Sequence, residues 1–176
     1  MTEIMPKKYN LALTPISKGD EVVKCAKKFS DYADKYLLGD NSFPHVTLYQ
    51  FEADEKEIES IWKKVSESWE EKPIDLEFKK FSCITFDNST YWASLMPDEC
   101  EKLHEMHGLI AHIINLPIKK SYDPHMTLIS TKNKEYEKEV KKFLSLYEPI
   151  SDKFVLSLGK LDDIGQLIEV IHCCEN

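Results

Sequence analysis

His45 and Thr47 stand two apart in the stretch PHVTL, and His125 and Thr127 repeat the pair 80 positions later in PHMTL. An imidazole, with an ordinary pKa near 6.5, gives or takes a proton around neutral pH, and a hydroxyl can hold an anionic oxygen by a hydrogen bond. Two imidazoles flanking a phosphorus suit an in-line displacement. One takes the proton of the nucleophile, the other protonates the leaving oxygen, and the two threonines hold the non-bridging oxygens. The scheme calls for no metal and no cofactor. Along a strand side chains alternate faces, so His45 and Thr47 share one side while Val46 and Leu48 share the other; His125 and Thr127 relate to Met126 and Leu128 in the same way. Pro44 and Pro124 suit the first position of a strand, where a missing N–H is tolerated.

Three aromatics near these stretches are candidates for stacking on a nucleotide base: Tyr49, which shares parity with His45, Tyr122, just before the second stretch, and Trp92. Three further histidines, His104, His107 and His112, fall opposite the apolar stripe of a predicted helix and are expected on its solvated face rather than at a metal. HEMH is one residue short of the zinc-protease spacing HExxH. The five cysteines, Cys25, Cys83, Cys100, Cys173 and Cys174, follow no zinc-ligand spacing and are expected as reduced, mostly buried thiols.

The elements that must position the two histidines are legible from periodicity. Tyr9–Thr14 reads as a strand stopped by Pro15. Val22, Val23, Ala26, Phe29, Ala33 and Tyr36 have helical spacing over Asp20–Tyr36, and His45–Phe51 is a second strand. Asp54 and Glu57 form a capping box ahead of the stripe Ile58, Ile61, Trp62, Val65 and Trp69, which Pro73 ends. Ile74, Leu76 and Phe78 alternate in a strand running, with a bulge near Lys80, toward Phe86.

The order then starts again. Tyr91–Met96 is a strand stopped by Pro97, and Asp98–Ile114 is a helix with Leu103, Met106, Leu109, Ile110, Ile113 and Ile114 inward. His125–Ser130 is a strand, and Tyr136, Val140, Phe143, Leu144 and Tyr147 mark another helix. Phe154–Leu158 and Leu167–Ile171 close the chain as strands. YNLALTP aligns with YWASLMP as PHVTL does with PHMTL, so residues 9–86 and 91–172 read as two repeats within one domain spanning 1–176. The expected fold is α+β: two pseudo-symmetric lobes, each an antiparallel sheet with helices packed outside, around a central groove.

Composition sets the limits. The 176 residues are 42% hydrophobic and 31% charged with five glycines, the profile of one ordered globular domain. The net charge of −8 argues against non-specific coating of nucleic acid, which runs on cationic neutralisation of phosphate. Much of the negative charge lies between Glu52 and Glu71, where a solvated helix face accounts for it. No signal-peptide pattern or membrane-length apolar run is visible, so a cytoplasmic monomer without membrane contact is expected.

Two H-x-T-h motifs, h being apolar, at this separation in a duplicated α+β chain resemble the 2H phosphoesterase superfamily. That superfamily includes the RNA 2′,3′-cyclic phosphodiesterases once called 2′-5′ RNA ligases. SLGKLDDIGQLIEVI also resembles the family's terminal strand pair. The resemblance implies a metal-independent phosphodiesterase on small nucleotide or RNA-end phosphodiesters, with His45 and His125 catalytic and Thr47 and Thr127 on the phosphate. For a cyclic substrate it favours His125 as base and His45 as acid, an assignment that the near-symmetry of the two motifs leaves reversible. The chain departs from the bacterial RNA-end branch in having Tyr49-Gln50 and Ile129-Ser130, not a cation, directly after the motifs, which with the acidic charge argues against a long RNA substrate. The competing reading is a nucleotide-binding module whose catalysis has lapsed.

Overall fold

The computed structural model describes residues 5–39, 41–70 and 73–174. Among the described residues seven strands and four α-helices follow one another as β1 (Lys7–Pro15), α1 (Gly19–Lys27), β2 (Val46–Ala53), α2 (Ile58–Ser68), β3 (Ile74–Thr85), β4 (Tyr91–Pro97), α3 (Cys100–Ile113), β5 (Met126–Thr131), α4 (Tyr136–Leu144), β6 (Ile150–Leu161) and β7 (Leu167–Cys173). All strand pairings are antiparallel, in the order β2-β1-β6-β3-β4-β5, with β7 also on β6. Exchanging β1 with β4, β2 with β5 and β3 with β6 reverses this order onto itself. The third strand of each half therefore pairs with the first strand of the other, and the halves are interlocked rather than side by side.

Long strand β6 joins the lobes. Its first residues, Ile150–Phe154, pair with β3, while Phe154–Lys160 pair with β1 on the opposite edge. Farther along, β7 pairs with Ser157–Leu161. Gly159 sits where β7 crosses closest: a Cβ there would overlap the Glu169 carbonyl and the Leu167 side chain, so glycine is required by space. The helices cross over as well, α1 packing on β5 and α3 on β2. The core between strands and helices includes Tyr9, Leu11, Leu48, Leu95, Leu128 and Phe154, each fully buried. Truncating one such leucine to alanine typically costs about 2–5 kcal/mol.

Several elements depart from their sequence reading. The first helix ends at Lys27, not Tyr36, and a single 3-10 turn follows at Ser30–Tyr32. Beyond it the chain runs along the edge of β5, with Asp34 N–H to Ser130 O, Ser130 N–H to Tyr36 O and Leu38 N–H to Leu128 O, a tertiary pairing that overrides helical spacing. The Asp54/Glu57 capping box forms, on a 3-10 turn that leads into α2. The bulge expected near Lys80 falls at Lys79. The acidic side chains Glu55, Glu57, Glu59 and Glu67 are exposed as expected; Glu71 lies outside the described residues, as do Met1–Ile4, Asp40, Lys72, Glu175 and Asn176. Of the cysteines only Cys25 is buried, its thiol pushed up to about 12 by desolvation, while Cys173 on the outer strand β7 is exposed. No helix among the described residues is long and apolar enough to cross a membrane.

Candidate active site

Each PHxTL stretch enters its strand at the same point. β2 begins at Val46 and β5 at Met126, so His45 and His125 stand at the mouths of the two strands. His45 Nδ1–H donates to the Phe43 carbonyl at 2.9 Å, and His125 Nδ1–H to the Asp123 carbonyl at 2.7 Å, in both cases two residues back. A neutral ring held in this way keeps its lone pair on Nε2. Both histidines, Thr47 and Thr127 line one cleft of about 540 Å³ between the lobes. His45 is only 8% exposed. Its pKa is lowered from the usual histidine value, chiefly by burial and also by the charge of His125, against the opposing bond to Phe43 O.

The last residue of each stretch is a β-bulge. Thr47 pairs with Ala12 and Tyr49 with Leu11, leaving Leu48 unpaired; Thr127 pairs with Ser94 and Ile129 with Ala93, leaving Leu128 unpaired. A bulge puts two successive side chains on one face, so Leu48 and Tyr49 both turn inward, as do Leu128 and Ile129, all buried. The alternation that relates His45 to Thr47 therefore does not carry on to Tyr49. Gln50 takes the groove face instead, opposite Asn10, whereas in the second lobe Ser130, opposite Trp92, is buried with its Oγ accepting the Tyr36 N–H.

Tyr49 contributes to the cleft wall, but its ring is 3% exposed and stacks on His107 with centroids 5.2 Å apart. His107 is stacked on its other side by Tyr122 at 4.2 Å. The expectation that His107 faces solvent is thus overturned: it is 2% exposed, donating from Nδ1 to Leu48 O at 2.6 Å and accepting the Lys119 N–H on Nε2 at 3.0 Å. The carbonyl opened by the bulge supplies the partner that makes burial of a polar ring tolerable. Leu109, expected inward, is 41% exposed, because α3 meets β2 through the His107 side of its surface. His104 and His112 are exposed as expected. Among the described residues no three His, Cys, Asp or Glu side chains cluster as metal ligands.

The threonine in the first lobe is held from two directions. Asn10 Nδ2–H donates to Thr47 Oγ1 at 2.9 Å, and Tyr122 O–H donates to Thr47 O at 2.8 Å. With an amide proton occupying one lone pair, the Thr47 hydroxyl proton is free to point at a bound oxygen. In the second lobe the position of Asn10 is taken by Trp92, half-buried and packed edge-on to Tyr36 at 6.1 Å. Trp92 and Tyr122 line the cleft.

Lys8, Lys119 and the exposed Phe86 line the cleft and buried Asn10 bonds Thr47 behind it; sequence reasoning singled out none of these four. The one available signal for Asn10 was its place in YNLALTP opposite Trp92 in YWASLMP. Lys119 reaches the site because Asn115, with φ 56° in the left-handed region, turns the chain from α3 back over β2. Tyr49 O–H then bonds Pro117 O and Lys119 Nζ bonds Gln50 O at 3.0 Å.

A family model described as the 2′-5′ RNA ligase superfamily matches residues 19–155. Among solved structures, the apo form of E. coli LigT superposes with a TM-score of 0.59 at 11% identity over 97% of both chains. E. coli LigT complexed with 3′-AMP gives the same values. A structure described as a phosphoesterase gives 0.60 at 10% identity, over 96% of this chain and 97% of the other. These identities speak to the shared fold alone. A search of curated protein sequences gives no significant match.

Proposed function

The chain belongs to the 2′-5′ RNA ligase superfamily, a family of phosphoesterases of nucleotide and RNA-end phosphodiesters, and from that premise we propose that it is a metal-independent phosphodiesterase opening 2′,3′-cyclic phosphates or cleaving 2′-5′ linkages. The observation that carries this reading is the matched pair of imidazoles. Both have Nδ1 committed to a backbone carbonyl two residues back, both line one cleft, and each has a threonine on the same strand face.

For a cyclic substrate, Nε2 of His125 takes a proton from water as its oxygen attacks phosphorus. The bond from phosphorus to one ribose oxygen breaks, and Nε2–H of His45 protonates that oxygen. Thr47 and Thr127 donate to the non-bridging oxygens as charge builds on them, a contribution of about 10²–10³ in rate per well-placed donor. Burial by itself favours uncharged His45. The negative phosphodiester favours the imidazolium, so the acid's proton is taken up with the substrate. That LigT has been solved with 3′-AMP and with ATP supports a small nucleotide in the corresponding groove here.

The test is turnover of 2′,3′-cyclic nucleotides and 2′-5′-linked adenylates by the purified protein with EDTA present. Cleavage of at least one class, lost on His45→Ala and on His125→Ala, is the expected result. Cleavage of neither class, or cleavage surviving both substitutions, would sink the reading.

A further inference from the structure

The two walls of the groove differ in chemistry. On the side of β4 and β5 the wall is Trp92, Ile84 and Tyr36, with Phe86 84% exposed at its rim. The Tyr36 hydroxyl is buried without a hydrogen-bond partner among the described residues. On the side of β1 and β2 the wall carries Lys8, Gln50 and Lys119. One face is thus apolar and aromatic, the other cationic and polar, in a protein whose net charge is −8.

Register places the cations. Ala12 lies opposite Thr47, Asn10 opposite Gln50 and Lys8 opposite Glu52, all on the groove side of β1. At roughly 3.4 Å per residue, the Gln50 level is about 7 Å and the Lys8 level about 14 Å along the strand from Thr47. The Lys119 ammonium is held at the nearer level by its bond to Gln50 O and lies 4.5 Å from the centroid of the Tyr49 ring, leaving two of its three protons for a ligand. Lys8 makes no ion pair among the described residues. The acids nearby are Glu52, across from Lys8, and Asp123 and Asp163 in the cleft wall; none is bonded to Lys119.

Resting on the phosphodiesterase reading above, we propose that Lys119 and Lys8 form a second anion subsite, for a phosphate one nucleotide unit from the scissile phosphorus. The substrate is then a nucleotide or short RNA end that carries a 5′-phosphate, with its terminal base against Trp92 and Phe86. A ribose whose 2′ and 3′ oxygens lie between the histidines carries its base at C1′ and its 5′ oxygen across the ring at C4′. The aromatic wall takes the first and the cationic wall the second. Stacking supplies the sequence-tolerant grip, and the ammonium groups supply the preference for phosphate.

Calorimetric titration with adenosine 3′-monophosphate and adenosine 3′,5′-bisphosphate tests the subsite without turnover, on wild type, Lys119→Met and Lys8→Met. Methionine keeps the apolar stem over Tyr49, and thermal melts confirm that each variant is folded. The 5′-phosphate is expected to tighten binding about tenfold at low salt, less at high salt. The gain should shrink to about twofold or less in Lys119→Met, and part-way in Lys8→Met. Equal affinity of wild type for the two ligands, or a gain that survives in both variants, would overturn the proposal. Turnover of adenosine 2′,3′-cyclic phosphate with and without a 5′-phosphate separates the two readings. Preferential binding of the bisphosphate with no cleavage of either cyclic compound leaves the subsite standing and removes the cyclic-phosphate activity, and with no cleavage of 2′-5′-linked adenylates either it removes the phosphodiesterase. Equal binding with equal cleavage does the reverse.

Discussion

The outer edges of β2 and β5, the two strands that carry the motifs, are covered by different means. β5 is covered by backbone: residues 34–38 bond Ser130 and Leu128 through main-chain groups and add one side-chain contact, Tyr36 N–H to Ser130 Oγ at 3.0 Å. β2 is covered by side chains, with His107 on Leu48 O, Lys119 on Gln50 O and Tyr122 on Thr47 O. The histidines and bulges are nevertheless placed alike on both sides. A strand edge needs its donors and acceptors satisfied, and either route does so. A backbone route tolerates changes of side chain; a side-chain route makes His107 and Tyr122 as necessary to the first motif as its own residues.

The most severe test of the equivalence is at the imidazoles. His45→Ala and His125→Ala should each lower kcat/KM by about 10²–10⁴, as expected for removal of a proton-transfer group, in variants that still melt cooperatively. A variant retaining near wild-type rate would break the symmetry of function outright. Next come the hydroxyls: Thr47→Val and Thr127→Val should each cost about 10²-fold in kcat. Asn10→Leu, which removes only the partner of Thr47 Oγ1, should weaken turnover less than Thr47→Val. Equal losses for Asn10→Leu and Thr47→Val would mean that the hydroxyl acts only as Asn10 orients it.

The asymmetry of the edges is tested by stability. His107→Ala removes a stacked ring and leaves Leu48 O and the Lys119 N–H without their partner, and should cost about 3 kcal/mol in urea unfolding. Ser130→Ala on the other edge should cost about 1 kcal/mol, since the main-chain bonds remain. The reverse ranking would contradict the contrast between side-chain and backbone cover.

The smallest expected effect is in pH. Because the folded-state pKa of His45 is lowered, the unfolded chain binds its proton first. The stability contribution is full above about pH 6.5 and is lost as pH falls from there toward the folded value. Replacing it in His45→Gln should flatten that part of the stability curve between pH 7.5 and 5. For the same reason the limb of kcat/KM that His45 governs, which reports the free protein, should lie below the ordinary histidine value. A limb above it would contradict burial as the dominant influence on His45.

Much of this molecule could be read along the chain. Amphipathic spacing located all four helices, and the repetition of PHxTL singled out His45, Thr47, His125 and Thr127 without reference to any fold. Those signals are local: a helix face and a strand face are periodic, and a repeated motif is visible by comparing the chain with itself. Tyr49 shows where local reading stops. Its parity with His45 is correct only for an unbroken strand, and the Leu48 bulge reverses it through a pairing mismatch with β1 that lies in another segment.

His107 shows the same limit for a helix. It lies off the main apolar stripe of α3, yet it is buried because β2 presents an open carbonyl at Leu48 and two tyrosines arrive from elsewhere to sandwich its ring. What the sequence determined by itself was the chemistry available, two imidazoles and two hydroxyls, and the elements that carry them. Only the tertiary structure decided that both pairs meet in one cleft, that Asn10 holds one hydroxyl where Trp92 stands beside the other, and that Lys8 and Lys119 share a wall. Those outcomes rest on the crossing of β3 and β6 between lobes and on two bulges, and strand pairing between distant residues is an energy that no single segment contains.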